Sequence, residues 1–258
     1  MFKPCSMPLA AGLAARTIVQ CYAVMRSAFA HAVRLQLIAV NPADAVRPPR
    51  PGRPKLSVPS WDVVRAILDS TAGTHLHVPL VLLATTGMRR GEAVALQWSN
   101  CDLDAGVIRV TRAAQQVGQV VSFNDPKSDR GRRSIDLPAS TVALLRQHRK
   151  EQLERRMLAG PEWSDGDLVI ENGLGLPVRP DVLSRAFQRL VDRLGLHGIR
   201  LHDLRHAHAT ELLRAGVNVK VVSERLGHSG SSITLDVYAS VLPGMQKVAA
   251  SAIEAAMQ

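Results

Sequence analysis

Four residues near the end of the chain, His202, Arg205, His228 and Tyr238, combine the side-chain types that act on a phosphate. Apolar periodicity in this stretch predicts two short helices, the second over Val219 to Leu226. The four residues therefore fall at helix ends and turns, where several elements can point at one spot. Cationic and hydrogen-bond-donating groups stabilise a phosphate, and a tyrosine phenol can attack it.

The order and spacing of these residues resemble the C-terminal signature of the tyrosine recombinases, the phage-integrase family. That signature reads His-x-x-Arg, then Leu-Gly-His, then a tyrosine. Here it corresponds to His202, Arg205, His228 and, ten residues further on, Tyr238. A lone His-x-x-Arg pattern is weak evidence, whereas the ordered set is specific.

An upstream run, TTGMRRGE, resembles the other half of the family signature, in which an arginine follows Thr-Gly-Leu/Met and an acidic residue comes three positions later. The matching residues are Arg89 and Glu92. Gly87 predicts a tight turn into a helix, which places Arg89 near a helix N-terminus, where an anion is favoured. Glu92 could hold the Arg89 guanidinium, because a carboxylate fixes its orientation. Arg90 is predicted to face solvent or the DNA backbone.

The run PKSDRGRRSIDLP resembles the family's hairpin segment, Pro-Lys-Thr followed by Arg-x-Ile-x-Leu-Pro, which carries a catalytic lysine. The matching residue is Lys127. A lysine in a loop is ordinarily a solvated residue, so this assignment depends on the resemblance. Arg130 and Arg132 of the same basic turn are predicted to contact DNA.

For the charge of the phosphodiester, the resemblance implies that Arg89 and Arg205 clamp its non-bridging oxygens with planar donors. His228 would donate to a non-bridging oxygen. The arginines supply the positive charge, so neither a metal nor another cofactor is expected.

For the bond exchange, the resemblance makes Tyr238 the nucleophile, which forms a 3′-phosphotyrosine. A phenol has a pKa of about 10, so a neighbouring group must accept its proton. The resemblance assigns that role to His202. Lys127 would protonate the departing 5′ oxygen as a general acid.

The spacing of His202, His206 and His208 also raises a zinc interpretation. Metalloprotease helices carry Glu after the first histidine, where this chain has Asp203. No carboxylate or cysteine is placed to complete such a site. The sequence therefore predicts no metal site, and His206 is expected beside the catalytic residues or in the core.

The remaining periodicity predicts the elements that position these residues. Helices are expected over 15–37, after Ser60, over 77–85, after Pro138, over 180–194 and after Tyr238. Three β-rich runs, 107–112, 119–123 and 133–137, predict one small antiparallel sheet. The fold class is therefore mainly α with a small three-stranded antiparallel sheet (α+β). The resemblance implies the tyrosine-recombinase catalytic domain fold.

Composition points to a nucleic-acid partner. The 258 residues carry 32 basic and 22 acidic side chains, a net charge of +10 and a pI near 10.4, and a polyanion is the usual partner of such an excess. The three cysteines are scattered and predict neither disulfides nor a zinc cluster. No apolar run reaches the roughly 18 residues of a membrane helix, and no signal peptide is apparent, which predicts a cytoplasmic protein without membrane contact.

The chain is expected to contain three segments: a partial helical core-binding domain (1–46), a basic Pro-rich linker (47–56) and a catalytic domain (57–258). The linker would be extended and would contact DNA through four cations, Arg47, Arg50, Arg53 and Lys55. The family's core-binding domain is a bundle of several helices, of which this chain would contain the last one or two. It is expected to be a fragment of a longer reading frame or a truncated integrase.

The predicted function is site-specific DNA recombination of integrase type. The expected partners are double-stranded attachment sites, with a homotetramer on DNA and a monomer in solution. Two alternatives stay open: a DNA-binding fragment that does not recombine, and a type IB topoisomerase-like tyrosine transesterase.

Overall fold

The computed structural model describes residues 12–52, 58–125 and 131–228, together with residues 251, 253, 254 and 257. Backbone contacts divide the chain into two units, Met1–Leu56 and Ser57–Gln258. In the described part of the chain, no helix is long and apolar enough to cross a membrane.

The first unit, in its described part, consists of helix α1, Ala15–Arg34, and a short 3₁₀ helix, Pro42–Ala45. The α-helix ends earlier than predicted, since Gln36 adopts the left-handed conformation with a φ of 59°. The hydroxyl of Tyr22 donates to the carbonyl of Ala43 at 3.0 Å. Tyr22 therefore joins the helix to the segment that follows it.

Helices form most of the described part of the second unit: α2 (Trp61–Asp69), α3 (His77–Thr86), α4 (Arg90–Val94), α5 (Ala139–Ala159), α6 (Pro180–Arg193), α7 (Asp203–Arg214) and α8 (Val219–Leu226). The helix predicted after Ser60 is present, and Ser60 caps it, because its hydroxyl accepts from the Val63 N–H at 3.4 Å. Helix α3 is apolar on all sides and mostly buried, as expected for a helix in the middle of a core. Of the helix predicted after Tyr238, only residues 251, 253, 254 and 257 are described, and the first three of these are helical.

Two small antiparallel sheets accompany the helices. One has three strands in the order β1 (Cys101–Asp102), β2 (Val107–Val110) and β5 (Arg133–Asp136), and the other is a hairpin of β3 (Ala113–Val117) and β4 (Val120–Asn124). The predicted fold class, mainly α with a small antiparallel sheet, is confirmed.

The predicted strand membership is wrong in one respect: the run 119–123 does not join the three-stranded sheet. It pairs with the preceding Ala113–Val117 through a tight turn in which Gly118 has a φ of 60°. A two-residue turn with a left-handed glycine favours pairing between sequence neighbours. Residues 113–117 read AAQQV, a composition with weak β-propensity, and this strand therefore leaves little signal in the sequence.

Helix α3 organises the core of the second unit, because α2, α5 and α7 all pack against it. Leu80, Phe187 and Leu204 are among the fully buried side chains of this core. Helix α7 also packs against α8. Arg205, near the N-terminus of α7, donates to carbonyls of Gly87 and Leu226 at the C-terminal ends of α3 and α8, so these three ends come together.

Candidate active site

Arg89 is the residue immediately before α4, and Glu92 holds it. The Arg89 backbone N–H donates to Glu92 Oε2 at 2.8 Å, and its guanidinium Nη1 donates to Glu92 Oε1 at 2.8 Å. The Arg89 side chain is 45% exposed, whereas that of Glu92 is 6% exposed. Burial alone would raise the pKa of Glu92, but its bonds to Arg133 and Arg89 and their charges outweigh it and lower the pKa. The carboxylate is therefore ionised at neutral pH.

Arg205, on the first turn of α7, is buried with 3% exposure. Its Nη1 donates to the carbonyl of Gly87 at 2.5 Å and its Nη2 to the carbonyl of Leu226 at 2.6 Å. Because α7 packs between α3 and α8, both of these carbonyls lie at ends of helices that flank it. The guanidinium plane of Arg205 is thereby fixed in one orientation.

The two signature histidines flank these arginines. His202 precedes α7, and its ring meets the His206 ring edge-on at 4.9 Å between centroids. Burial and the Arg205 charge lower the pKa of His202. Burial, followed by the charges of Arg205 and Arg89, lowers the pKa of His228 to about 4. Both imidazoles are therefore neutral at neutral pH, and the positive field that disfavours their protonation favours a bound anion.

Arg89, His202 and Arg205 line one cleft of about 400 Å³. Arg90 also lines it, and its Nη1 donates to Ser184 of α6 at 2.6 Å. The floor includes apolar side chains, among them Met88. Residues separated by more than a hundred positions in the sequence thus meet at one cleft that is large enough for a phosphate group.

His206 and His208 have different surroundings. Burial and the neighbouring His202 lower the pKa of His206 to about 4. His208 is buried, with Nδ1 next to the Ala84 carbonyl at 2.9 Å and Nε2 accepting from Arg225 Nε at 3.1 Å. Both nitrogens of His208 are thus engaged within the protein. Among the described residues, no group of three His, Cys, Asp or Glu side chains could hold a metal ion.

The other predicted site residues are spread along the chain. Arg47 and Arg50 lie in the described part of the first unit without regular secondary structure. Arg132 forms an exposed ion pair with Asp125 at 3.1 Å. Five predicted residues lie outside the described residues, namely Arg53, Lys55, Lys127, Arg130 and Tyr238.

The sequence interpretation missed Arg133, the first residue of β5. Its side chain is 7% exposed and forms an ion pair with Glu92, Nη2 to Oε2, at 2.8 Å. The signal was the two-residue period of a strand, since Arg133 lies on the same face as the fully buried Ile135. The surrounding run of basic residues favoured a solvated turn and concealed that signal.

The last carbonyls of α8 accept from three different arginines. Arg225 O accepts from Arg133 Nε at 2.7 Å, Leu226 O from Arg205 Nη2 at 2.6 Å, and Gly227 O from Arg89 Nη2 at 3.1 Å. The carbonyls at a helix C-terminus lack helical partners and carry partial negative charge, so they attract cations. His228 is the next residue, and its position is therefore tied to all three guanidinium groups.

Comparisons with known proteins agree with this architecture. The chain is 28% identical over 250 residues to a tyrosine recombinase XerC-like protein of Caldanaerobacter subterraneus subsp. tengcongensis, covering 90% of this chain and 64% of the relative. It is 31% identical over 201 residues to an integrase of Streptomyces ambofaciens, covering 73% and 50%. The chain thus spans between half and two thirds of the length of these relatives.

Solved structures show the same fold. The Tn1549 transposon integrase in complex with circular intermediate DNA matches with a TM-score of 0.76 at 22% identity, over 94% of this chain and 81% of that one. XerA recombinase matches with a TM-score of 0.59 at 22% identity, over 76% and 65%. The fold is that of a tyrosine-recombinase catalytic domain. Residues 61–244 match the model of the phage integrase family, and the chain belongs to that family.

Proposed function

We propose that this chain supplies the catalytic domain of a site-specific DNA recombinase that cleaves and rejoins strands through a 3′-phosphotyrosine intermediate. The observation that carries the proposal is the convergence of Arg89, His202 and Arg205 on one cleft, with His228 next to the same arginines. The similar Tn1549 integrase is described in complex with DNA, and the net charge of +10 suits the same kind of partner.

In this proposal, Arg89 and Arg205 stabilise the negative charge on the non-bridging oxygens. Glu92 orients the first guanidinium, and two backbone carbonyls orient the second. Donors that are fixed before the substrate binds need no reorganisation during the reaction, and a partly buried site strengthens their effect. Arginines that act on phosphoryl groups in other enzymes raise rates by roughly 10³ to 10⁵.

The neutral histidines suit the proton transfers. A neutral His202 can accept the proton of Tyr238 as the phenol attacks, and a neutral His228 still carries one N–H to donate to a non-bridging oxygen. The lowered pKa of both rings keeps them in this form at neutral pH. Lys127 would then protonate the departing 5′ oxygen.

A nicked-substrate experiment tests the nucleophile and does not depend on a chosen attachment site. The substrate is a pool of nicked duplexes with randomised sequence beside the nick, because cleavage there releases a short strand and traps the covalent adduct. The protein should form adducts enriched in one sequence, in buffer that contains EDTA. Tyr238→Phe should abolish them, and Tyr22→Phe, at the only other tyrosine, should not. An adduct that persists in Tyr238→Phe, or that requires a divalent metal, contradicts the proposal.

Two further assays separate the proposed recombinase from the alternatives. Relaxation of a supercoiled plasmid without the enriched sequence would favour a topoisomerase-like enzyme. A protein that binds the enriched sequence but forms no adduct would be a DNA-binding fragment without recombinase activity. With paired copies of that sequence, a recombinase should assemble from monomers into a tetramer on DNA, which sedimentation velocity measures directly.

A further inference from the structure

A buried arginine outside the signature set connects several parts of the candidate site. Arg133 donates to both oxygens of Glu92, from Nη1 to Oε1 at 3.3 Å and from Nη2 to Oε2 at 2.8 Å. Its neighbour Arg132 behaves differently, because it is 60% exposed and pairs with the exposed Asp125. The inward position of Arg133 is therefore a property of that residue and not of the basic turn as a whole.

The carboxylate of Glu92 is fully used by two arginines. Oε1 accepts from Arg89 Nη1 and Arg133 Nη1, and Oε2 accepts from the Arg89 N–H and Arg133 Nη2. A carboxylate has about four acceptor positions, so all of them are occupied by these two residues. The carboxylate cannot turn without losing a donor. Because Arg133 fixes the orientation of the Glu92 carboxylate, and that carboxylate fixes Arg89, the position of Arg89 depends on Arg133.

The same guanidinium also fixes the end of α8. Arg133 Nε donates to the Arg225 carbonyl at 2.7 Å. The backbone of Gly227 packs directly on it, since a Cβ added to Gly227 would lie 2.8 Å from Arg133 Nη1. Gly227 in turn accepts from Arg89 Nη2 at 3.1 Å and precedes His228.

We propose that Arg133 is a positioning residue that sets the location of Arg89, through Glu92, and of His228, through the end of α8, around the bound phosphate. Arg133 does not contact the phosphate in this arrangement. It lies six residues after Lys127 in the sequence. The inference rests on the proposed function, because it assumes that the cleft binds a phosphate.

The test uses inorganic phosphate as the probe, so it does not depend on the attachment site or on covalent chemistry. Phosphate is titrated into the whole chain, and the ring resonances of His202 and His228 report binding in NMR spectra. Arg133→Lys keeps the charge but loses the planar fork, and Arg133→Met loses both. Both variants should bind phosphate roughly tenfold more weakly or worse, because a displaced Arg89 loses a charge-assisted hydrogen bond to the anion.

A matched control removes a guanidinium from another buried carboxylate. Arg155 pairs with Glu171, whose side chain is 3% exposed, at 3.1 Å, and neither residue lines the candidate cleft. Arg155→Met should lower the melting temperature and leave phosphate affinity unchanged. If it weakens phosphate binding as much as Arg133→Met does, the effect is general destabilisation and the proposal is wrong.

Two more readouts make the positioning role specific. Glu92→Gln should weaken phosphate binding. In the double variant with Arg133→Lys, the loss of phosphate affinity should be much smaller than the product of the two single losses, because both substitutions act on Arg89 through one contact. The His228 titration midpoint should rise in Arg133→Met, since the Arg133 charge is one of the causes that lower the pKa of His228.

Wild-type phosphate affinity in Arg133→Lys would overturn the inference. If Arg133→Met does not fold, the phosphate affinity of Arg133→Lys alone tests it. The proposed function fails separately, through absence of the Tyr238 adduct.

Discussion

Replacement of Gly87 by alanine should damage both the stability of the domain and the candidate site. Gly87 ends α3 in the left-handed conformation, with a φ of 67°. A Cβ at this position would lie 2.7 Å from His208 Cδ2 and 2.7 Å from Leu226 Cδ2. Gly73 provides a matched control, because it has a φ of 74° and an added Cβ would meet nothing within 4 Å.

The expected magnitudes follow from these two environments. A left-handed conformation costs an L-residue roughly 1–2 kcal/mol, which both substitutions share. Extra volume in a packed region costs roughly 1–3 kcal/mol more, which applies to Gly87 alone. Gly73→Ala should therefore lower the free energy of unfolding by about 1–2 kcal/mol, and Gly87→Ala by about 2–5 kcal/mol. The entropic gain of alanine in the unfolded chain is common to both and cancels in the comparison.

Urea denaturation of the two variants measures the difference directly. Phosphate titration adds a second readout, because the Gly87 carbonyl accepts from Arg205 Nη1 and a shift of this turn should displace that guanidinium. Gly87→Ala should weaken phosphate binding, whereas Gly73→Ala should not. Equal destabilisation by both substitutions, or wild-type phosphate affinity in Gly87→Ala, would refute the packing argument.

Three other predictions concern the leaving group, the linker and acid stability. Lys127→Ala should cleave poorly on normal DNA and largely recover on a 5′-bridging phosphorothiolate, whose sulfur leaves without a proton; equal defects would exclude a general acid role. The linker cations are Arg47, Arg50, Arg53 and Lys55. Their replacement by alanine should reduce the slope of log affinity against log salt by up to about 3–4, since each neutralised phosphate contributes roughly 0.9. An unchanged slope would show that these residues do not contact DNA. Burial lowers the pKa of His208 to about 4, below its unfolded value of about 6.5. The unfolded chain therefore binds more protons between these values, and stability should fall by up to about 3 kcal/mol as pH drops through this window. His208→Asn should flatten that dependence in urea unfolding, and a pH dependence unchanged by the substitution would assign it to other groups.

Much of the helical framework could be predicted from local patterns. Helix α8 has the predicted bounds, Val219–Leu226, because apolar spacing and Gly227 mark both its face and its end. Ser60 caps α2 as its residue type predicts. The contact between Arg89 and Glu92 also follows from a three-residue separation at a helix start. These features depend on contacts between residues that are close in the sequence, and such contacts can be inferred from residue type and order.

The features that the sequence did not reveal depend on contacts between distant segments. Arg133 contacts Glu92, 41 residues away, and Arg225, 92 residues away. Strand alternation places Arg133 on the same face as Ile135, but it does not show which distant carboxylate lies against that face. The burial of His208 likewise depends on which helix packs against α7, since its partner Ala84 lies 124 residues earlier.

The clustering of arginines explains why the candidate site needs Glu92 and the end of α8. Three guanidinium groups held together repel one another, and the buried Glu92 compensates one charge while three carbonyls of α8 contribute partial negative charge. With the neighbouring histidines neutral, these three arginines against Glu92 leave a formal excess of two positive charges, and Arg90, which lines the same cleft, adds a third. A phosphodiester supplies one negative charge, and the transition state of its cleavage concentrates that charge on the non-bridging oxygens. Glu92 and the carbonyls of α8 therefore offset part of the repulsion among the guanidinium groups, and the remaining positive charge suits the proposed phosphodiester.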